Sequence, residues 1–191
     1  MQERIQIFHQ LKDKYFYFPN WELKYLLVGT FNPTGGDRVN YFYGRESNYC
    51  WPTLSKIFEK ELNPESESFI EALKELGIAC VDMIDSVDVE DSWKDKVTGK
   101  GYSDSNIIRK KVIREYNTED ILKIIEANPN VQVFSTWGKG PQLKVWIVEI
   151  QKIDNLIKLV SPSAAARVPK GAKKEAYIFD DWSQKIIPSV F

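Results

Sequence analysis

Short apolar runs alternate with amphipathic stretches along most of the chain. Four apolar runs of strand length predict buried β-strands at 25–28, 78–83, 131–134 and 156–160. Between and after them, apolar residues recur at helical spacing in five stretches, at 52–62, 69–76, 118–125, 141–150 and 173–187. The spacing of Ile5, Phe8 and Leu11 predicts a further short helix near the start. Strands that alternate with helices are typical of an α/β domain with a mostly parallel sheet.

Residues 1–191 form a single predicted domain, because no internal repeat, low-complexity tract or long Gly/Ser linker divides the chain. In parallel sheets, ligands bind beyond the carboxyl ends of the strands. The connections that leave those ends are the richest in Asn, Ser, Gly, aromatic and basic residues, and they span 29–51, 84–117, 135–140 and 161–172. The polar stretch 86–116 is too long for a simple connection, so we expect a functional loop there.

Composition is that of a soluble globular protein, with 43% hydrophobic residues and a formal net charge of −1. The charges are unevenly distributed, however. Segment 94–114 holds seven bases and two acids, and segment 167–174 holds four bases and no acid. Two basic segments favour a polyanionic partner if folding brings them to one face, and solvated surface is the alternative interpretation.

Cysteine and histidine usage limits the metal chemistry that is open to this chain. Cys50 and Cys80 are the two cysteines, which excludes a four-cysteine iron–sulfur cluster, and a single histidine excludes a histidine-rich site. We therefore expect no metal and no cofactor. His9 is far in sequence from the polar connections, and we expect it at the surface. No apolar stretch approaches the length of a membrane span and the first residues are charged, so we expect a cytoplasmic protein without a membrane partner.

The connection after the first predicted strand contains the candidate Asn32. The segment GTFNPTGG lacks the spacing of a phosphate loop and of a dinucleotide fingerprint. A turn built from Asn32-Pro33 and Gly35-Gly36 is one interpretation. Asn32 also carries both an amide donor and a carbonyl acceptor. At the end of a central strand, it could orient a water molecule or hold the edge of a base.

Further along the same connection, aromatic residues precede a second asparagine. The run Tyr41–Tyr43 either packs on the core or offers a stacking platform for a planar ligand such as a base. Asn48 either caps the next helix or supplies a second pocket amide.

The connection after the fourth predicted strand begins with Ser161-Pro162-Ser163. It is either a plain strand-to-helix connection or a tight loop whose hydroxyls and backbone N–H groups hold a phosphate. Four bases add positive charge to the loop, namely Arg167, Lys170, Lys173 and Lys174.

Taken together, these motifs resemble the uracil-DNA glycosylase superfamily, and most closely its mismatch-specific and hypoxanthine (deoxyinosine) DNA glycosylases. The resemblance covers about 26–187. The segments that carry it are LVGTFNP at 27–33, YGRESNYCWP at 43–52, Gly77-Ile78 with Asp82, DSNI at 104–107, VFSTWG at 133–138 and SPS at 161–163. The family's fold would be a three-layer α/β/α sandwich around a central, mostly parallel four-stranded sheet.

The resemblance implies a monofunctional DNA glycosylase of base excision repair. Such enzymes flip a deaminated base, here uracil or hypoxanthine, into a pocket and hydrolyse its N-glycosidic bond. By this resemblance, the catalytic amide is Asn32 or Asn48. The base would be held by Gly29, Phe31, Tyr43 and Ser161. DNA would be bound by Ser163, Arg167, Lys170 and Lys173, with 164–167 entering the duplex, and we expect DNA as the partner of a monomer.

Three positions depart from the pattern of the most efficient members of the superfamily. Asn32 stands where they have Asp, so activation of water by a general base at this position is not expected. Ser161 stands where they have His, and the wedge sequence at 164–167 is AAAR rather than a large apolar plug. Two alternatives stay open: a non-catalytic nucleic-acid-binding protein of the same fold, and an unrelated small-molecule α/β enzyme with Asn32 and Asn48 in its pocket.

Overall fold

The computed structural model describes residues 3–14, 19–36, 38–98, 102–137 and 142–188. Within these ranges the strands are β1 (Arg4–Phe8), β2 (Tyr25–Gly29), β3 (Ile78–Asp82), β4 (Ile84–Glu90), β5 (Ile113–Tyr116), β6 (Gln132–Ser135) and β7 (Ile157–Lys158). The helices are α1 (Cys50–Phe58), α2 (Phe69–Leu76), α3 (Lys94–Thr98), α4 (Asp104–Ile107), α5 (Thr118–Ala127), α6 (Gln142–Val145), α7 (Ile147–Ile150) and α8 (Lys174–Ser183).

A four-stranded, fully parallel sheet in the order β3-β2-β6-β7 forms the centre of this α/β structure. Every residue of β2 and β3 is buried. Because successive side chains of a strand point to opposite faces, both faces of these strands are covered, which explains their continuous apolar sequences. The predicted strands at 25–28, 78–83 and 131–134 are confirmed, whereas the fourth pairs over Ile157–Lys158 alone.

The predicted helix at Ile5–Leu11 is wrong, because this segment begins with strand β1, which pairs antiparallel with β4. Ile7 and His9 are both buried, while Phe8 between them is 46% exposed. This two-residue period is the signature of a strand at the edge of a core. The helical spacing of Ile5, Phe8 and Leu11 therefore arose by coincidence with a strand pattern.

The predicted loop at 86–116 is also wrong, because most of it is ordered secondary structure. Strands β4 and β5 join β1 in an antiparallel sheet of order β1-β4-β5, and helices α3 and α4 lie in the connection between β4 and β5. In β4 the acids Asp85 and Asp88 take partly exposed positions, while Val87 and Val89 are buried. Because acids are frequent in this segment, its hydropathy did not predict a strand.

The other predicted helices are confirmed in position by α1, α2, α5 and α8. Gly77, with φ of +67°, ends α2 in a left-handed conformation that glycine adopts without a steric penalty. The predicted helix that begins at Pro141 starts outside the described residues, and 142–150 forms the two short helices α6 and α7. No helix in the described ranges is long and apolar enough to cross a membrane.

Helix α8 fixes the connection that follows β7. Trp182 Nε1 donates to the carbonyl oxygen of Val160 at 2.8 Å, and Asp181 Oδ2 accepts from the Val160 N–H at 2.8 Å. Both backbone polar groups of Val160 are thereby bound by side chains of one helix. The next residues, Ser161–Ser163, are tied to the β2 connection through the Tyr49 N–H, which donates to Pro162 O at 2.8 Å.

The two hydrogen bonds from α8 to the Val160 backbone form a clamp, which is tested by replacing Trp182 with Phe. Trp182 is fully buried, so Trp182→Phe leaves Val160 O without its donor and should lower the free energy of unfolding by about 1–3 kcal/mol in urea denaturation. Ser183→Ala is the matched control, because it removes a hydroxyl at the next position of the same helix and should cost less than about 0.5 kcal/mol. Equal effects of the two changes would contradict the clamp.

Candidate functional site

A cavity of about 820 Å³ opens at the carboxyl edge of the parallel sheet. Residues from the connections after β2, β4, β6 and β7 line it together with the end of β3 and one residue of α8. They are Thr30, Phe31, Asn32, Tyr43, Arg45, Asn48, Asp82, Tyr102–Ser105, Thr136, Trp137, Val160–Ser163, Ala165–Arg167 and Tyr177. Of the residues that the sequence nominated, Asn32, Asn48, Phe31, Tyr43, Ser161, Ser163 and Arg167 meet here.

A buried carboxylate, Asp82, lies at the centre of the polar contacts in this cavity. Its Oδ2 atom is 2.8 Å from His9 Nε2 and 2.8 Å from Asn32 Nδ2. The Asp82 and His9 side chains are 2% and 0% exposed. The expectation that His9 lies at the surface is therefore wrong: β1 carries it beneath the cavity, where it also packs against the rings of Phe31 and Phe42.

The contacts of His9 determine which of its nitrogens carries the proton. The backbone N–H of Leu11 donates to His9 Nδ1 at 3.1 Å, so Nδ1 must present its lone pair. The proton of the neutral ring is then on Nε2, which donates to Asp82. Because Asn32 also presents N–H to the same oxygen, Asp82 is held as an acceptor by two donors.

Gly29 makes room for this carboxylate. A Cβ atom at position 29 would lie 2.1 Å from Asp82 Oδ1 and 2.7 Å from the Tyr43 hydroxyl. Both distances are far below van der Waals contact, so only glycine fits at this position. Gly29 is buried and does not line the cavity itself, so its part in the site is to permit the close approach of Asp82 and Tyr43.

Tyr43 forms a rigid part of the cavity wall. Its φ is +57°, a left-handed conformation that is uncommon outside glycine and that persists where neighbouring contacts impose it. The hydroxyl group is 2.9 Å from Thr136 Oγ1, and the ring packs against Trp51 with centroids 6.5 Å apart. Burial raises the pKa of the phenol well above its usual value, with Cys80 and Asp82 adding to the shift. Tyr43 therefore stays neutral.

The two candidate asparagines present opposite groups. Asn32 Nδ2 donates a hydrogen bond to Asp82 Oδ2, and Asn32 Oδ1 accepts no hydrogen bond from any described residue. Asn48 uses its Oδ1 to accept from the Cys50 N–H at 2.9 Å, which is the turn-stabilising role before α1. No described residue accepts from the Asn48 amide nitrogen. Asn32 is thus a free acceptor in the cavity lining and Asn48 a free donor.

A second carboxyl group, Asp104, lies on another part of the lining. Asp104 Oδ1 is 2.9 Å from the Tyr102 hydroxyl, which also contacts Phe31 O at 3.1 Å. Burial raises the pKa of Asp104, and the negative charge of Asp82 adds to the shift. The Tyr102 hydroxyl donates to Asp104 Oδ1, and the hydrogen bonds that Asp104 makes with Tyr102 and Thr30 oppose the rise in its pKa.

Two buried nitrogens of the cavity lining have no hydrogen-bond acceptor in the described part of the chain. They are Arg45 Nε and Trp137 Nε1. The Arg45 guanidinium lies 5.3 Å from the centroid of the Tyr102 ring. Buried donors without acceptors are rare in folded proteins, and each suits a ligand that presents oxygen or nitrogen lone pairs. Trp137 itself is only 6% exposed.

The serine connection and its basic neighbours form one side of the cavity mouth. Ser161 Oγ accepts from the Ser163 N–H and Ser163 Oγ accepts from the Ala165 N–H, so both hydroxyl protons remain available to an anion. Arg167 is exposed at the cavity, whereas the exposed Lys170 and Lys173 lie outside its lining.

The other basic segment reaches the cavity through α4. The ammonium groups of Lys96 and Lys111 are 4.0 and 3.5 Å from the centroid of the Trp93 ring. Asn106, which follows the lining residue Ser105, donates from its side chain to Lys96 O at 2.8 Å. Each basic segment therefore adjoins a stretch of the cavity lining.

Sequence reasoning did not assign His9, Arg45, Asp82, Tyr102, Asp104 or Trp137 to the site. Asp82 and Asp104 stood inside the resembling motifs without a role. His9 had a detectable signal, because it continues the two-residue period of the preceding strand. Among the described residues, no group of three or more His, Cys, Asp or Glu side chains is placed to hold a metal ion.

Gly29→Ala tests the close packing of the site. The added methyl group collides with Asp82 and Tyr43, so we expect the free energy of unfolding to fall by about 1–3 kcal/mol in urea denaturation. In Gly29→Ala/Asp82→Ala the carboxylate is gone, and the combined cost should be smaller than the sum of the single changes. Strict additivity would show that the two residues do not collide.

No protein-family model, curated protein or solved structure matches this chain. The functional assignment therefore rests on the cavity itself: on the groups that line it, on the contacts that fix them, and on the basic segments beside its mouth.

Proposed function

We propose that this protein is a monofunctional DNA glycosylase that hydrolyses the N-glycosidic bond of a deaminated nucleotide, uracil or hypoxanthine, in base excision repair. The observation that carries the proposal is the presence of Asn32 and Asn48 in one cavity, the first with an acceptor and the second with a donor that no described residue binds. The motifs that resemble the superfamily supply most of the lining. The finer fold, a three-layer uracil-DNA glycosylase-like domain acting as a cytoplasmic monomer, is part of this proposal.

The cavity has a volume that can take an extrahelical nucleotide. Its volume of about 820 Å³ lies in the range that binds drug-sized ligands, so a base with its sugar and phosphate fits. Tyr43 offers an aromatic wall whose backbone and hydroxyl are both fixed. A wall that is already rigid loses little entropy when a flipped base stacks on it.

Hydrolysis of the bond places negative charge on the departing base and positive charge on the sugar. Donors aimed at the base therefore stabilise the transition state more than the ground state. Asn48 Nδ2, Arg45 Nε and Trp137 Nε1 are such donors, and all three lack acceptors among the described residues. Asn32 Oδ1 accepts a hydrogen bond from water and so orients the water molecule for attack on the sugar.

The cavity mouth would hold the DNA backbone. Ser161 and Ser163 offer hydroxyl donors to a phosphate, and Arg167 adds positive charge beside them. Lys170 and Lys173 extend this basic surface away from the cavity, and Lys96 and Lys111 form a second basic surface near α4. These contacts position the strand without reading its sequence.

The activity is tested with labelled oligonucleotides that carry uracil, hypoxanthine, xanthine or a thymine mismatch, in single- and double-stranded form. We expect release of uracil or hypoxanthine, which leaves an abasic site that alkali cleaves. Binding without cleavage of any substrate would instead support a DNA-binding protein of the same fold. Absence of both binding and cleavage would leave the small-molecule enzyme as the surviving interpretation.

Substitution of the two asparagines separates their roles. We expect Asn32→Ala and Asn48→Ala each to lower the single-turnover rate by about 10- to 1,000-fold, since one loses a contact to water and the other a contact to the base. DNA affinity, measured by fluorescence anisotropy, should change little. The matched control is Asn130→Ala, an exposed asparagine before β6, which should retain full activity. Full activity in both cavity variants would refute the site assignment.

A further inference from the structure

Asp82 has no part in the chemistry described so far. Its side chain nevertheless receives two hydrogen bonds, whereas the side chain of each asparagine makes one with a described residue. It ends β3 at the edge of the sheet where the cavity opens, and it lines that cavity. Gly29 is kept free of a side chain beside its Oδ1 atom, and β1 brings His9 to its Oδ2 atom. A carboxylate in such a position is expensive to bury, so its surroundings must compensate its charge.

The hydrogen bonds that Asp82 Oδ2 receives come from two side-chain nitrogens. Both donors at Oδ2 are N–H groups, because His9 Nδ1 is occupied by the Leu11 N–H and Asn32 presents its nitrogen. His9 cannot remove the proton of a reacting group through Nδ1, so it serves as a fixed donor. N–H donors complement the negative charge of a carboxylate and offset part of the cost of burying it.

Asp82 Oδ1 remains available to a substrate. Within the described ranges it accepts no hydrogen bond, in contrast to Oδ2 with its two donors. Asn32 lies beside this carboxylate: its nitrogen donates to Asp82 Oδ2, and its oxygen, which accepts from no described residue, can accept a hydrogen bond from water. A water molecule bound to the Asn32 oxygen would therefore be close to the Asp82 carboxylate.

We propose that Asp82 is the catalytic carboxylate of this cavity and that His9 is its positioning residue, an inference that rests on the proposed glycosylase activity. As the bond between C1′ and the base nitrogen breaks, its electron pair leaves with the base, and Asp82 stabilises the positive charge that develops on the sugar. A water oxygen then bonds to C1′, and one water proton passes to Asp82 Oδ1. That proton is later given up to solvent, and the base anion takes one from solvent.

The two carboxyl groups of the cavity are suited to different tasks. Asp104 contacts a phenol and an interior that disfavours its charge, whereas Asp82 receives two N–H donors. Burial raises the pKa of Asp104, and its hydrogen bonds with Tyr102 and Thr30 act against that rise. The two carboxyl groups therefore have different hydrogen-bond partners within one cavity. Asp82 also supplies the negative charge that position 32 lacks.

A binding experiment tests the charge role without requiring turnover. Two oligonucleotides are compared by fluorescence anisotropy, one with a cationic pyrrolidine in place of the target sugar and one with a neutral tetrahydrofuran. The wild-type protein should bind the cationic form about tenfold more tightly or better, and Asp82→Asn should reduce this ratio to about one, because a charged partner is lost. Asp85→Asn is the matched control: Asp85 pairs with Lys12 outside the cavity lining, so the ratio should not change.

Turnover variants test the chemical role and the part of His9. Asp82→Asn should lower the single-turnover rate by about 100-fold or more while DNA affinity for the neutral analogue is retained. His9→Ala should lose rate and cation preference together. His9→Gln, whose amide N–H can replace Nε2–H, should recover much of both, which a purely structural role for the ring would not produce.

The outcomes separate this inference from the proposed function. Turnover that survives Asp82→Asn unchanged overturns the inference and leaves the glycosylase assignment intact. A wild-type protein without turnover on any substrate overturns the assignment, and the catalytic role of Asp82 falls with it whatever the cation preference. Equal binding of both analogues by the wild type overturns the charge role. If Asp82→Asn fails to fold, the ratio of affinities for the cationic and neutral analogues is measured in the His9 variants instead. Loss of the preference in His9→Ala and recovery in His9→Gln supports the inference, and an unchanged ratio in both overturns it.

Discussion

The structure around the cavity depends on one constraint, the burial of the Asp82 carboxylate at the edge of a parallel sheet. A buried charge must receive donors, and here they come from His9 and Asn32 at 2.8 Å each. The carboxylate also needs space, which Gly29 provides by having no Cβ. Strand β1 and the antiparallel sheet of β1, β4 and β5 thereby join the site, since without them His9 would not reach Asp82.

This arrangement also orients the first asparagine. Because Asp82 accepts hydrogen bonds, Asn32 directs its nitrogen to the carboxylate, and no described residue binds its oxygen. In the turn before α1, Asn48 instead uses its oxygen to accept from the Cys50 N–H, and no described residue binds its nitrogen. Two residues of the same type thus present complementary groups in one cavity. Around them lie neutral Tyr43 and the nitrogens of Arg45 and Trp137, which have no acceptor in the described part of the chain, and this lining suits a planar ligand rich in acceptors.

The sequence predicted the parallel sheet and its helices because β2 and β3 are apolar throughout and the helical stretches have a clear period. It also located the edge of the sheet where the polar residues of 29–51 and 161–172 meet. The second sheet was missed since acids interrupt β4, and β1 was mistaken for a helix. The role of His9 could not be predicted, because it depends on the pairing of β1 with β4, which no local pattern specifies. The direction of each amide likewise depends on neighbours that only the fold brings close.

The most direct measurement of the central claim is mass spectrometry of the small molecules released from deaminated DNA. DNA treated to convert cytosine to uracil and adenine to hypoxanthine is incubated with the purified protein, and free bases and abasic sites are quantified together. We expect one of the two free bases to appear in equal amount to new abasic sites. No free base beyond that released by a heat-inactivated sample would contradict a glycosylase at this cavity.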